Sequence, residues 1–253
     1  MFDPVHERES QHSEFGYRFY LEGDIDESRQ ENALNVRGTS TINQGLQCLF
    51  VGLEEPGRQL LELAERLIAE AIATGEAERR GDYHDELMTG YHSLALCRWA
   101  LNGRDDEESL AKEVEHSKLY WAEQTIKRDA ETLDIELPGY LNAGDPAYVI
   151  EVAEASRKVK EPKSLNTVRS PRVMAYLLAK HQLAGNEVGE PLHKASEKFL
   201  DRSIDEMFLD RGLANEAALW LKIVYWNNTD DGLSPRDVLR KAYDHMPQVA
   251  APV

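Results

Sequence analysis

The stretch "YHSLALCRWALNGRDDEESLAKEVEHSKLYWAEQ", residues 91–124, decides the fold class. Its first part carries apolar residues at helical spacing and ends at Asn102 and Gly103, a pair typical of a helix C-terminus. The acidic run 105–108 that follows can cap a second helix and supply the negative charge favoured in a first helical turn. Two helices joined by so short a turn lie side by side, so the stretch predicts an antiparallel helical hairpin.

Helical patterns continue on both sides of this hairpin. The widest apolar stripe begins near Pro56 and stops before Gly75, while a helix break is expected at Gly38. The segment "LPGYLNAGDP", residues 137–146, predicts a loop or a domain seam. Further helices are expected over residues 146–159, 170–185, 191–208, 215–226 and 235–243. The fold class is therefore all-α, an array of roughly eight to ten helices paired as hairpins, either solenoid-like or bundle-like.

A shift of 82 residues places "ALNGRDDEESLAK" on "QLAGNEVGEPLHK", with Leu, Gly and Lys at matching positions. This match indicates an approximate internal duplication, although any two helix-turn-helix segments share Leu and Gly near the turn. The expected organisation is an N-terminal extension over residues 1–55 and a helical-array domain over 56–253. Within that domain, sub-repeats are expected at 56–137 and 138–211, with capping helices over 212–253.

The composition is strongly acidic, with 46 Asp and Glu against 29 Lys and Arg and a formal net charge of −17. Such a charge repels the phosphates of nucleic acids and the anionic surface of membranes, and it favours a basic protein partner. Simple solubility is the competing explanation. We therefore expect no nucleic-acid ligand and no membrane association.

Two further features bear on the cellular compartment. Cys48 and Cys97 each lie among apolar residues, the usual surroundings of a buried free thiol. The N-terminus lacks the basic start and apolar stretch of a secretory signal, and no window approaches about 18 uninterrupted apolar residues. The expectation is a cytoplasmic protein.

Metal chemistry would require convergent ligands, and two Glu-x-x-His pairs are the candidates: Glu113 with His116, and Glu190 with His193. This spacing is found in di-iron helical bundles, but the two pairs occupy different positions under the 82-residue shift. In "GDYHDEL", residues 81–87, the ligand types point around a helix axis, and an acidic helix start explains them. We therefore expect no metal site and no cofactor. Nucleophile and phosphate-binding motifs are missing too, so we expect a protein that is not an enzyme.

The Leu/Ala-rich helix "RQLLELAERLIAEAI", the turn in "LALCRWALNGRDDEESL" and the later "YLLAKHQLAGNEVGEPL" together give a resemblance to a known family. Over about residues 60–210 the chain resembles the all-helical immunity proteins of bacterial polymorphic toxin systems, the family called immunity protein 49. The resemblance implies an antitoxin that binds a cognate toxin stoichiometrically and neutralises it. It places no functional residue of that family on this chain.

For a binding surface, the sequence indicates acidic turns, where carboxylates could face a basic partner. The candidate residues are Asp105, Asp106, Glu107, Glu108, Asp230 and Asp231, and ordinary solvated helix caps are the competing interpretation. The alternative function is a tetratricopeptide-like helical scaffold or adaptor that binds a peptide or protein. That repeat has a period of about 34 residues, which the 82-residue shift does not match.

Overall fold

The computed structural model describes residues 27–78, 83–185, 190–205, 207, 214–227 and 232–246. Across these ranges every regular element is helical and no strand occurs, which confirms the all-α fold class. The chain divides into two compact units, residues 1–123 and residues 124–253.

Four long helices make up the part of the first unit that the structure describes. They are α1 (Glu27–Phe50), α2 (Glu54–Glu78), α3 (Tyr83–Asn102) and α4 (Glu107–Glu123). Each helix packs on the next one along the chain, and α1 also contacts α3. The predicted hairpin is confirmed as α3 and α4, and Gly103 ends α3 with a φ of 65°, a conformation that favours glycine.

The expected helix break at Gly38 is wrong, because α1 runs through this residue without interruption. A Cβ atom on Gly38 would lie 2.4 Å from Ile68 Cγ1, so the glycine permits close approach of α1 to α2. The same holds farther along, where a Cβ on Gly57 would lie 2.9 Å from the carbonyl oxygen of Gly45. Gly75 likewise does not end α2, which continues to Glu78. Gly38 and Gly57 therefore serve the close packing of α1 on α2 rather than helix termination.

The second unit contains shorter helices. They are α5 (Ala130–Asn142), α6 (Pro146–Ser156), a 3₁₀ turn (Leu165–Thr167), α7 (Pro171–Leu183), α8 (Glu190–Asp205), α9 (Ala214–Leu221), a π-helical segment (Lys222–Trp226), α10 (Pro235–Arg240) and α11 (Ala242–His245). Helix α7 packs on both α5 and α6, while α11 contacts α8. A proline occupies the first turn of α6, α7 and α10, where its missing N–H costs no helical hydrogen bond.

The loop expected over residues 137–146 is wrong in its first half, since α5 continues through Pro138 to Asn142. Pro138 removes one helical hydrogen bond, but Leu137 and Leu141 are buried beside it and hold the helix in place. The chain turns only at Gly144, with a φ of 73°. The sub-repeat boundary expected at 137/138 therefore falls inside a helix, and the internal duplication remains a prediction.

The two cysteines differ in environment. Both are free thiols, but Cys97 is buried whereas Cys48 is only half-buried. Cys97 Sγ donates to the carbonyl oxygen of Leu61 at 3.1 Å, which ties α3 to α2.

None of the described helices combines the length and the apolar content needed to cross a bilayer.

Candidate functional site

A cleft of about 450 Å³ opens beside the turn between α3 and α4, where the sequence predicted a binding surface. Its lining is polar and mixes both signs of charge: Glu65, Arg98, Asn102, Arg104, Asp105, Asp106 and Glu107. Because α2 contributes Glu65, three helices of the first unit shape this cleft.

Arg98 organises the floor of the cleft. Its Nε atom donates to Glu65 Oε1 at 2.8 Å, and its Nη1 atom donates to Asp106 Oδ2 at 2.5 Å. Burial acts to lower the pKa of the Arg98 guanidinium, but the hydrogen bonds to Asp106 and Glu65 outweigh it and raise the pKa. The guanidinium is therefore held by two carboxylates, and neither the cation nor its partners rotate freely.

Asp106 belongs to the fold as much as to the cleft. Its side chain accepts from the backbone N–H of Ser109 at 3.4 Å and from the Ser109 hydroxyl at 2.7 Å, so it caps α4. Burial acts to raise its pKa, but the bonds from Arg98 and Ser109 dominate and lower it. This candidate binding residue is thus already occupied by internal partners.

The other carboxylates of the acidic turn face solvent. Asp105, Glu107 and Glu108 are exposed, and the first two line the cleft while Glu108 does not. The structure therefore brings three of the four predicted residues of this turn to one cleft. The remaining two candidates, Asp230 and Asp231, lie outside the described residues.

Charge is distributed very unevenly between the two units. Residues 1–123 contain 26 Asp and Glu and 12 Lys and Arg, a net charge of −14, out of −17 for the chain. The second unit carries the remaining −3. The acidic turn therefore lies in the unit that holds most of the negative charge.

The candidate metal ligands do not come together. Glu113 Oε1 lies 2.9 Å from His92 Nδ1, whereas His116 pairs with His84. Glu190 is exposed and pairs with Lys194. His193 lies 3.7 Å from Glu197. No group of three potential metal-ligating side chains occurs within the part of the chain that the structure describes.

The interior of the α3–α4 hairpin is unexpectedly polar. His84 and His116 are 6% and 7% exposed, and Glu113 is 3% exposed. From the open end of the hairpin to its turn, three polar pairs join the two helices: His84 with His116, His92 with Glu113, and Arg98 with Asp106. The sequence did not predict these three pairs, because the residues around His84 were explained as an acidic helix start.

A second polar cluster, also missed from sequence, lies in the second unit. Asp201 Oδ1 and His245 Nδ1 are 2.7 Å apart, and His245 Nε2 lies 2.8 Å from the hydroxyl of Tyr225. An acid, an imidazole and a hydroxyl in this order resemble a nucleophile activated through a base. The pKa of Tyr225 is nevertheless raised, first by burial and then by the charges of Glu197, Asp244 and Asp201. The phenol therefore keeps its proton at neutral pH.

Lys222 is the most buried cation described, with 1% of its surface exposed, and it lies in the π-helical segment. Its ammonium donates to the side-chain oxygen of Asn142 and, at 3.4 Å, to that of Asn227. These bonds connect α5 to the segment after α9.

Three aromatic residues of the α3–α4 hairpin are wholly or partly buried. Trp99 is fully buried. Tyr120 and Trp121 are half-buried and contact each other edge to face, with ring centroids 5.1 Å apart.

Comparison with known proteins adds no family to this geometry. No protein-family model matches the chain, and neither the curated proteins nor the solved structures contain a significant match.

Proposed function

We propose that the protein acts by stoichiometric binding of a basic protein partner, as a cytoplasmic immunity protein that neutralises a cognate toxin. The observation that carries the proposal is the net charge of −14 in the first unit together with its exposed acidic turn. A field of this sign accelerates the encounter with a basic surface and disfavours acidic competitors.

The cleft offers a place for a basic side chain of the partner. Asp105 and Glu107 line the cleft and are exposed, and Glu65 and Asp106 bind Arg98. A lysine or arginine that approaches the cleft gains attraction from the two exposed carboxylates and does not need to break the Arg98 network. The fixed guanidinium would in turn repel a cation placed too deep, which sets the depth of insertion.

Binding is favoured over catalysis by the state of the reactive-looking groups. Tyr225 is the hydroxyl best placed beside an imidazole, and its raised pKa opposes activation. The cleft itself is lined by charged side chains that are already paired or open to solvent, not by an apolar pocket with a few convergent polar groups.

The test is a tagged pulldown from the native host at low and at high salt. The proposal expects one basic protein, eluted at about 1:1 stoichiometry and weakened by salt, because screening shortens the reach of the acidic field to roughly 8 Å at physiological ionic strength. A scaffold or adaptor, the alternative function, would retain several partners or a peptide class instead.

A matched pair of variants locates the surface. D105N/E107Q/E108Q removes three negative charges from the turn, and E131Q/E151Q/E190Q removes the same charge from exposed positions of the second unit. We expect the first variant to weaken capture at least tenfold and the control to stay within about twofold, since rim charges act mainly on the association rate. Equal effects of the two variants would exclude the acidic turn as the interface.

A further inference from the structure

The histidine pair at the open end of the α3–α4 hairpin carries an inference that does not depend on any partner. His84 Nδ1 and His116 Nδ1 are 2.9 Å apart, and both side chains are buried. The two rings are tilted by 39° with centroids 5.2 Å apart. Like atoms of two imidazoles therefore face each other at hydrogen-bond distance.

This arrangement limits how many protons the pair can hold. A hydrogen bond between two Nδ1 atoms needs one protonated nitrogen as donor and one bare nitrogen as acceptor. The pair satisfies this requirement when both imidazoles are neutral, in opposite tautomers, and also when one of them is an imidazolium. With two imidazolium rings, two N–H donors and two positive charges would meet at 2.9 Å.

The groups around His116 have opposing effects on the binding of a second proton by the pair. His116 stacks on Tyr91, with ring centroids 5.6 Å apart, and the Tyr91 hydroxyl donates to Glu76 at 2.6 Å. The pKa of His116 is lowered, first by burial and then by the charge of His84. Lys112 lowers it further, while Glu115 and Glu76 act to raise it. Among the described residues the balance of burial, two cations and two carboxylates leaves His116 harder to protonate than a free histidine.

We propose that His84 and His116 form a proton-sensitive latch that closes the open end of the hairpin while it holds at most one proton and opens when both rings are protonated. The unfolded chain binds two protons at these residues in acid, whereas the latched protein binds one. Stability therefore falls as pH drops below the ordinary histidine value of about 6.5, and the latch is fully effective above it. Opening separates α3 from α4 at the end farthest from the acidic turn.

The first test is histidine NMR on the wild-type protein. Neutral rings in opposite tautomers, and the uptake of one proton shared by the pair as the pH falls, are expected. Two independent titrations, each near pH 6.5, would overturn the proposal. This measurement needs no variant, so it cannot be confused by a failure to fold.

The second test measures unfolding by urea between pH 5 and pH 7.5 in the wild type, H84N and the control H193N. An Asn at position 84 can donate to a neutral His116 or accept from a protonated one, so the conflict over the second proton disappears. As the pH falls, the unfolding equilibrium constant of the wild type should rise relative to that of H84N. The rise should be up to tenfold for each pH unit, as expected when unfolding takes up one proton. His193 lies on α8 and is 29% exposed, so H193N should keep the wild-type slope. Identical slopes in the wild type and H84N would refute the latch.

Discussion

Arg98 on α3 and Asp106 at the start of α4 are joined by a 2.5 Å hydrogen bond that closes the turn of the hairpin. The same Asp106 carboxylate caps α4 through Ser109. One side chain thus supports both the start of a helix and the floor of the cleft.

Replacement of Asp106 by Asn should lower the free energy of unfolding by about 1–2 kcal/mol, because it removes the charge beside Arg98 and leaves one acceptor oxygen where the carboxylate has two. The pKa of Asp106 in the folded protein lies below its ordinary value of 3.8, so its contribution is complete above that value and is lost as pH falls through the folded value. Urea unfolding of both proteins should therefore differ most above pH 5 and converge in stronger acid. A difference that stays constant down to pH 2 would contradict the assigned ion pair.

Arg98 offers a graded test of the same network. Arg98→Met removes both hydrogen bonds and leaves Glu65 and Asp106 without their shared cation, so a loss of about 1–2 kcal/mol is expected. Arg98→Lys keeps the charge but not the fork that reaches both carboxylates, so its loss should be roughly half as large. The measurement is urea unfolding at low and high salt, where salt should reduce the difference between the Met and Lys variants. If Lys proves as harmful as Met, geometry rather than charge dominates the network.

The contact of α1 with α2 predicts a strong effect of a single methyl group. Gly57→Ala should destabilise the protein by about 1–3 kcal/mol, because the new Cβ would meet the backbone oxygen of Gly45 at 2.9 Å and neither helix can yield locally. Gly90→Ala is the control: its closest neighbour is a side-chain atom, Ile72 Cγ1 at 3.0 Å, and alanine favours the helix. Thermal unfolding should show a clear fall in Tm for the first variant and little change for the second. An unchanged Tm for Gly57→Ala would contradict the close contact between α1 and α2 at this position.

Tyr225 and His245 provide a prediction for the second unit. Tyr225→Phe leaves His245 Nε2 without its 2.8 Å partner in a buried site, which should cost about 1–3 kcal/mol. Tyr176→Phe is the comparison, because the Tyr176 hydroxyl lies 3.4 Å from Glu154 and contributes little. The measurement is the free energy of unfolding of the two variants in urea. Equal losses would show that the hydrogen bond to His245 does not stabilise the protein more than the Tyr176 contact does.

The sequence predicts much of the helical layout because caps and apolar stripes are local signals. A helix was predicted over 235–243, and Ser234 and Asp237 form a reciprocal cap at its start, while Gly103 ends α3 as predicted. The errors arise where a residue serves a neighbour rather than its own helix. Gly38 permits close approach to Ile68, and Pro138 is held in α5 by buried leucines, and neither fact is visible in a local pattern.

The candidate site was predictable only at its rim. The exposed carboxylates of the acidic turn follow from the charge run, but the internal partners of Arg98 come from two different helices. His84 and His116 are separated by 32 residues, and only the antiparallel register of α3 and α4 brings them together. The hairpin itself was predicted. Alignment of its two helices in antiparallel register, so that residues at equal distances from the turn face each other, could therefore have found this pair.

The buried thiol of Cys97 can report on movements of α3 relative to α2 within the first unit. Burial raises its pKa to about 12, and its Sγ atom is held against α2, so alkylating reagents meet neither an accessible sulfur nor a thiolate at neutral pH. Labelling can proceed only when α3 moves away from α2. Alkylation of Cys97 can be compared with alkylation of the half-buried Cys48. The ratio of the two rates therefore measures how readily this helix pair opens in the wild-type protein.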